Sequence, residues 1–236
     1  MPIDYDQRTG TVRGRAAEIE TVHAALAAGD PSGGGALPQG DPILEALAQA
    51  LGTTMLTLEV SNSGPGGHQQ HLLAVGTNAV IVRRSRAGDA LAELVGVPFQ
   101  VLPGALTRLV NFLPGRAPAE DAAPVRLGAA QVTALASEDA EERAAAWPAV
   151  QDLLSGLVEA DEAAASWQLV RVHSAWTATD GEPTEDLAVY LRAGEAYFVL
   201  VQEGEDLDLV PVPSITAWEA MMHVLPGHQE IKDPRG

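Results

Sequence analysis

The chain contains no cysteine. That excludes disulfides, thiolate nucleophiles and cysteine-ligated zinc. Basic residues are scarce: 14 Lys and Arg stand against 32 Asp and Glu, for a formal net charge of −18. Such a chain is repelled by nucleic-acid phosphates and anionic membranes, and neither is expected as a partner. Its longest apolar runs, 72–75 and 79–82, fall far short of the roughly 20 residues that cross a bilayer. The opening Met1-Pro2-Ile3-Asp4-Tyr5-Asp6 is acidic and has no apolar stretch of the secretory kind, so a cytoplasmic location is expected. No Gly-x-x-x-x-Gly-Lys-Ser/Thr phosphate loop and no Gly-x-Ser-x-Gly nucleophile elbow are present. The sequence offers no catalytic constellation and no cofactor or nucleotide site, and the chain is read as a non-enzyme.

Hydrophobic residues make up 46% of the chain, enough for a proper core. Residues 1–14 lack an apolar period and read as a flexible tail. Ile19, Val22 and Leu26 recur at helical spacing. The glycine-rich 29–40 is a loop by composition. Asp41-Pro42 reads as an N-cap with proline in the first turn, ahead of a stripe of Ile43, Leu44, Leu47 and Leu51. Strands follow near 56–60, 72–75, 80–82 and 95–99, with 61–67 as a turn or mobile loop and Gly76-Thr77-Asn78 as a tight hairpin. Leu106, Leu109, Val110 and Leu113 then mark a helix stopped by Pro114-Gly115.

The second half has the same grammar. Helical segments run through Leu127, Val132 and Leu135, and from Ser137 through Val150 to Val158. Strands are expected at 167–173, 187–191, 197–201 and 207–209. A last helix carries Trp218, Met221, Met222 and Leu225 before Pro226-Gly227. At a shift of 112 residues Leu106, Leu109, Val110 and Leu113 fall on these four, and Pro114-Gly115 falls on Pro226-Gly227. Leu58 and Val60 fall on Val170 and Val172. The intervening hairpin needs about five residues more. An internal repeat is expected, with halves of about 41–115 and 149–227.

Few residues suggest chemistry. His68 and His71 are three apart on an expected strand, which puts their rings on opposite faces and argues against a metal pair. Acid-rich 203–208 lacks a calcium-loop pattern and reads as a hairpin turn. The stripe of Trp218, Met221, Met222 and Leu225 reads as core.

In order of features the chain resembles the EspG-type chaperones of type VII secretion. The residues that carry the resemblance are Asp41-Pro42-Ile43-Leu44-Glu45-Ala46-Leu47 with the strand 53–60, and Ala79-Val80-Ile81-Val82-Arg83. With them go Leu106 to Pro114, the Ala-rich helices, the hairpin 187–201 and the closing helix 218–226. The resemblance implies an α+β fold, a pseudo-twofold duplicated unit with a central antiparallel β-sheet flanked by two helical bundles. It implies one domain over 15–227, with 228–236 a C-terminal tail. It also implies a cytosolic chaperone that shields the apolar tip of a helical, PE/PPE-like secretion client. Its implied client contacts are a loop between two strands and the second-half helices, drawn here from 127–158. The loop residues are Ser61, Asn62, Ser63, Gly64, Pro65, Gly66, Gly67, His68, Gln69 and Gln70. The chain departs from the family at its start, where members carry a longer segment with its own strand and helix. The competing reading is an immunity-type or other protein-binding inhibitor, for which a basic toxin would suit the acidic charge.

Overall fold

The computed structural model describes residues 3–77, 79–87, 91–159, 166–203, 206–227 and 229–232. Eleven strands form one sheet. In chain order they are β1 (Asp4–Asp6), β2 (Thr11–Arg15), β3 (Leu56–Gly64), β4 (Gly67–Val75), β5 (Ala79–Arg86), β6 (Leu91–Pro98), β7 (Val125–Leu127), β8 (Trp167–Thr177), β9 (Pro183–Ala193), β10 (Ala196–Glu203) and β11 (Asp206–Val212). Among the described residues six α-helices join them: α1 (Ala16–Ala27), α2 (Pro42–Gly52), α3 (Leu102–Leu109), α4 (Ala129–Leu135), α5 (Ala140–Leu153) and α6 (Ser214–His223). The sheet order is β1-β2-β6-β5-β4-β3-β8-β9-β10-β11-β7, and the paired strands run antiparallel.

Two four-strand meanders, β3–β6 and β8–β11, therefore lie back to back. They meet where β3 pairs with β8, and the register sets Val60 opposite Val172. Those two residues are 112 apart, the same shift that aligns the halves in sequence. The first meander is preceded by β1, β2 and two helices and the second by β7 and two helices, and each is followed by one α-helix.

Residues paired across strands share a face, so register assigns the helices. Leu58, Val60, Leu73, Val80, Val82, Val170 and Val172 point to the face covered by α3 and α6, with Leu102, Leu106, Ala217 and Met221. The other face carries α1 and α2 over the first half, where Ile19, Val22, Leu44 and Leu47 bury Ile81 and Leu94. It carries α4 and α5 over the second half, where Leu135, Trp147 and Val150 bury Leu169, Leu191 and Phe198. The run Val80-Ile81-Val82 of β5 is apolar on both sides because both sides are covered there.

Several local expectations hold. The Asp41 carboxylate accepts a hydrogen bond from the Ile43 amide at 2.9 Å, and Pro42 opens α2. Within 29–40, Asp30 holds the amides of Ser32 and Gly34, and Leu37 is buried. Others are corrected. Of the expected tail 1–14, the described residues 3–14 are not a tail: β1 and β2 form a hairpin, and β2 extends the sheet by pairing with β6. This segment supplies few apolar side chains, Val12 chief among them, and is held mainly by backbone bonds. Helix α3 stops at Leu109, because Asn111 adopts a left-handed φ of 47°. Phe112 then turns onto Tyr190 and Tyr197, while Leu113 is exposed. Leu127 lies on β7 rather than a helix. Helix α5 runs through Pro148 and ends at Leu153, short of Val158. Of 228–236, the described part folds back: Ile231 bridges Ala178, and the Lys232 amide donates to the Thr177 carbonyl. Of the two turns expected at 76–78 and 203–208, residues 78, 204 and 205 lie outside the described residues.

The stretch 61–70 is likewise not a loop. Ser61 to Gly64 belong to β3 and Gly67 to Gln70 to β4, paired from Ser61↔Gln70 to Gly64↔Gly67. Only Pro65 and Gly66 form the turn, and the glycine and proline signal marks those positions alone. A Cβ on Gly64 would stand 2.6 Å from the Trp167 carbonyl oxygen, so this glycine lets β3 approach β8 closely. Gly64→Ala is expected to lower stability by about 1–3 kcal/mol, since backbone must move. A urea midpoint equal to that of the parent would show that the strands separate freely.

Candidate functional site

The two helix pairs do not cover the whole of their shared face. Between them the central strands are open, and charged or polar side chains replace valine. Register puts Glu59, His173 and Leu187 in one row across β3, β8 and β9, with Ser61 beside Arg171 in the next row. Glu59, Arg171, His173, Glu185, Leu187, Val189, Leu200, Gln202 and Leu207 line a depression of about 600 Å³. It continues to the second helix pair, where Val132, Thr133 and Ala136 of α4, then Ser137 and Glu142, form its wall. The result is a groove between sheet and helices.

Its chemistry is mixed by position. Leu187 is 48% exposed, unusual for a leucine on a central strand. With Val132, Ala136, Val189, Leu200 and Leu207 it makes an apolar strip. Glu59, Glu142, Glu185 and Asp186 edge the strip, and His173 Nε2 lies 3.2 Å from Glu185 Oε2. An exposed apolar strip with a polar border is the usual constitution of a protein-recognition surface.

The groove wall is held by two anchors. Trp147 of α5 stacks on Trp167 of β8 with ring centroids 4.7 Å apart and planes at 11°. Arg143 is buried and donates to the Ser137 carbonyl at 2.7 Å, closing the turn between α4 and α5. Asp139 caps α5 by accepting from the amides of Glu141 and Glu142.

The ten expected contact residues are distributed over four environments. Ser61 and Gln70, a cross-strand pair, border the groove next to Arg171. Ser63, Gly64 and His68 are interior: His68 Nδ1 lies 2.8 Å from Ser63 Oγ. Burial pushes the His68 pKa down; Glu138 opposes this, and Arg143 and Arg171 reinforce it. Asn62 and Gln69 lie on the α3 and α6 face, Pro65 and Gly66 are exposed at the tip, and Gly67 is half-buried. Sequence reasoning missed Arg171, His173, Leu187 and Leu207. The alternation Val170-Arg171-Val172-His173 signals a polar face on β8, but not that the face is uncovered. His68 and His71 do lie on opposite faces, beside Leu169 and Val172 respectively. Among the described residues no cluster of three or more His, Asp or Glu is placed to hold a metal. No helix among them is long and apolar enough to cross a membrane.

No protein-family model matches the chain, and no curated protein matches it. Among solved structures it is similar to the Mycobacterium tuberculosis type VII secretion system chaperone EspG5, solved in complex with a PE25-PPE41 dimer. The TM-score is 0.53 at 11% identity, over 94% of this chain and 100% of the other. At that identity the likeness is one of fold: an α+β architecture around a large antiparallel sheet.

Proposed function

We propose that this chain is a cytosolic chaperone or adaptor of the type VII secretion kind, and that it shields the apolar tip of a helical, PE/PPE-like client before export. The observation that carries this reading is the open groove, an apolar strip left uncovered between the two helix pairs. A full-length likeness in fold to a chaperone solved with a PE-PPE dimer supports it. Helix-in-groove recognition requires apolar anchors for affinity and edge charge for partner choice. Ser61 and Gln70 would touch the client from the sheet side, and α4 and α5 from the wall. The task needs neither catalysis nor a cofactor. The shared shift of 112 in sequence and register supports the further reading that the halves arose by duplication.

The test is reconstitution with PE-PPE-type heterodimers as candidate clients. A complex that survives gel filtration is expected. Leu187→Asp should weaken it at least about tenfold, since it puts a charge in the apolar strip. The melting temperature should move by no more than about 2 °C, because the side chain is half exposed. Undiminished binding by the variant would rule out the groove, and absence of any helical partner would rule out the chaperone.

A further inference from the structure

The opposite face of the sheet carries a second polar centre, away from the groove. Arg13 on β2, Glu93 on β6, Arg84 on β5 and His71 on β4 form one row in register. With Gln69, Arg86, Leu91 and Ala92 they line a depression of about 300 Å³. Among the described residues it holds three of the chain's 14 basic side chains against one acidic one. Glu93 is shared, with Arg13 Nε at 2.8 Å and Arg84 NH1 at 3.4 Å. Arg86 donates to the Gly66 carbonyl, which fixes its guanidinium at the mouth of the β3–β4 hairpin.

His71 is the anomaly. It is 6% exposed, and neither ring nitrogen makes a hydrogen bond of normal geometry, although the Leu109 carbonyl of α3 lies close enough to favour the protonated ring. A buried imidazole left unpartnered is costly, and few native polar groups are left so. Here it lines a depression edged by guanidinium groups. In a chain of net charge −18, such a local reversal of sign is a device for selecting a particular anion.

We propose that this depression is a recognition site for a carboxylate, presented by an acidic side chain or chain terminus of a protein partner. The Arg forks of Arg84 and Arg86 would grip the two oxygens, as guanidinium does in bidentate pairs. His71 and the Gln69 amide supply further donors, and the exposed Leu91 suits the aliphatic stem that a carboxylate carries and a free phosphate lacks. Burial also depresses the His71 pKa to about 4, so a bound anion would raise it and make the ring a reporter. The site is independent of the groove and of the chaperone reading.

N-acetylglutamate and inorganic phosphate are titrated into the intact protein at constant ionic strength, with chloride as control, while the His71 ring signals are followed by NMR. Saturable shifts with N-acetylglutamate are expected. Arg86→Gln should weaken that binding about tenfold, the scale of a lost charge-assisted hydrogen bond. Glu93→Gln, which removes the competing carboxylate, should tighten it severalfold, an outcome that a purely structural role for these residues would not give. No shift beyond chloride, or Glu93→Gln binding no better than the parent, overturns the proposal. A response to phosphate but not to N-acetylglutamate overturns the carboxylate assignment.

Discussion

Trp147→Ala is expected to cost about 3 kcal/mol of stability, the low end of the range for a truncated buried aromatic. The side chain is buried, lies in the core beneath α4 and α5, and stacks on Trp167. Truncation removes that stack and opens a cavity between helix and sheet. The low end applies because the Trp147 indole N–H has no hydrogen-bond partner, so a buried polar group vanishes with the ring. Trp147→Phe keeps an aromatic face, loses the orphan donor, and should recover most of the loss. The damage should be local. Amides of α4 and α5 should exchange faster while those of α1 and α2, packed in a separate cluster, keep their protection. Equal acceleration of both helix pairs would show that they open as one unit, and a urea midpoint unchanged from the parent would remove the stack from the account.

Acid should weaken the fold well before most carboxylates protonate. His71 is held near pKa 4, first by burial, then by Arg84 and by His68 on its own strand; the Leu109 carbonyl from α3 pulls the other way. Arg13 and Glu93 complete the charges in its row. In the unfolded chain imidazole titrates near 6.5. As pH falls, the unfolded state therefore takes up a proton first. Stability from the neutral ring is complete above about 6.5, is lost as pH drops toward 4, and is level below that. The loss is roughly 3 kcal/mol for this residue. Burial lowers His68 and His23 too, so they add in the same direction. His71→Leu should be neutral or stabilising at pH 7, because two unpartnered nitrogens disappear, and should flatten the decline between pH 7 and 4.5. Identical pH profiles for parent and variant in denaturant titrations would exonerate His71.

What could be read from residues alone divides along a physical line. Helices α1 and α2 were legible because Ile19, Val22 and Leu26, then Leu44, Leu47 and Leu51, each make one apolar stripe that must be buried. The central strands were legible for the same reason. Strands β1, β2 and β7 were not, because an outer strand is held by backbone bonds and needs few apolar side chains. The hairpin 61–70 was misread as mobile because Gly64, Pro65, Gly66 and Gly67 dominate its composition, whereas only the middle two turn. The groove was out of reach altogether. Leu187 and Arg171 look like ordinary strand residues, and their openness follows from where two distant helix pairs stop. The strands on each side were legible in spacing, but not that β3 and β8 would pair with each other.

That pairing has a consequence for how the chain is made. Strand β3 pairs with β4 at once but finds its second neighbour only after β8 emerges from the ribosome, more than a hundred residues later. Until then the nascent first half presents a long, apolar, unpaired edge, the kind that templates association. Its register is centred on Val60, so two such nascent halves could pair β3 to β3 and mimic the finished junction. Having β8 on the same polypeptide raises its effective concentration far above that of any neighbour. Tethering is thus the safeguard: the chain outcompetes its own siblings for the edge that it leaves exposed during synthesis.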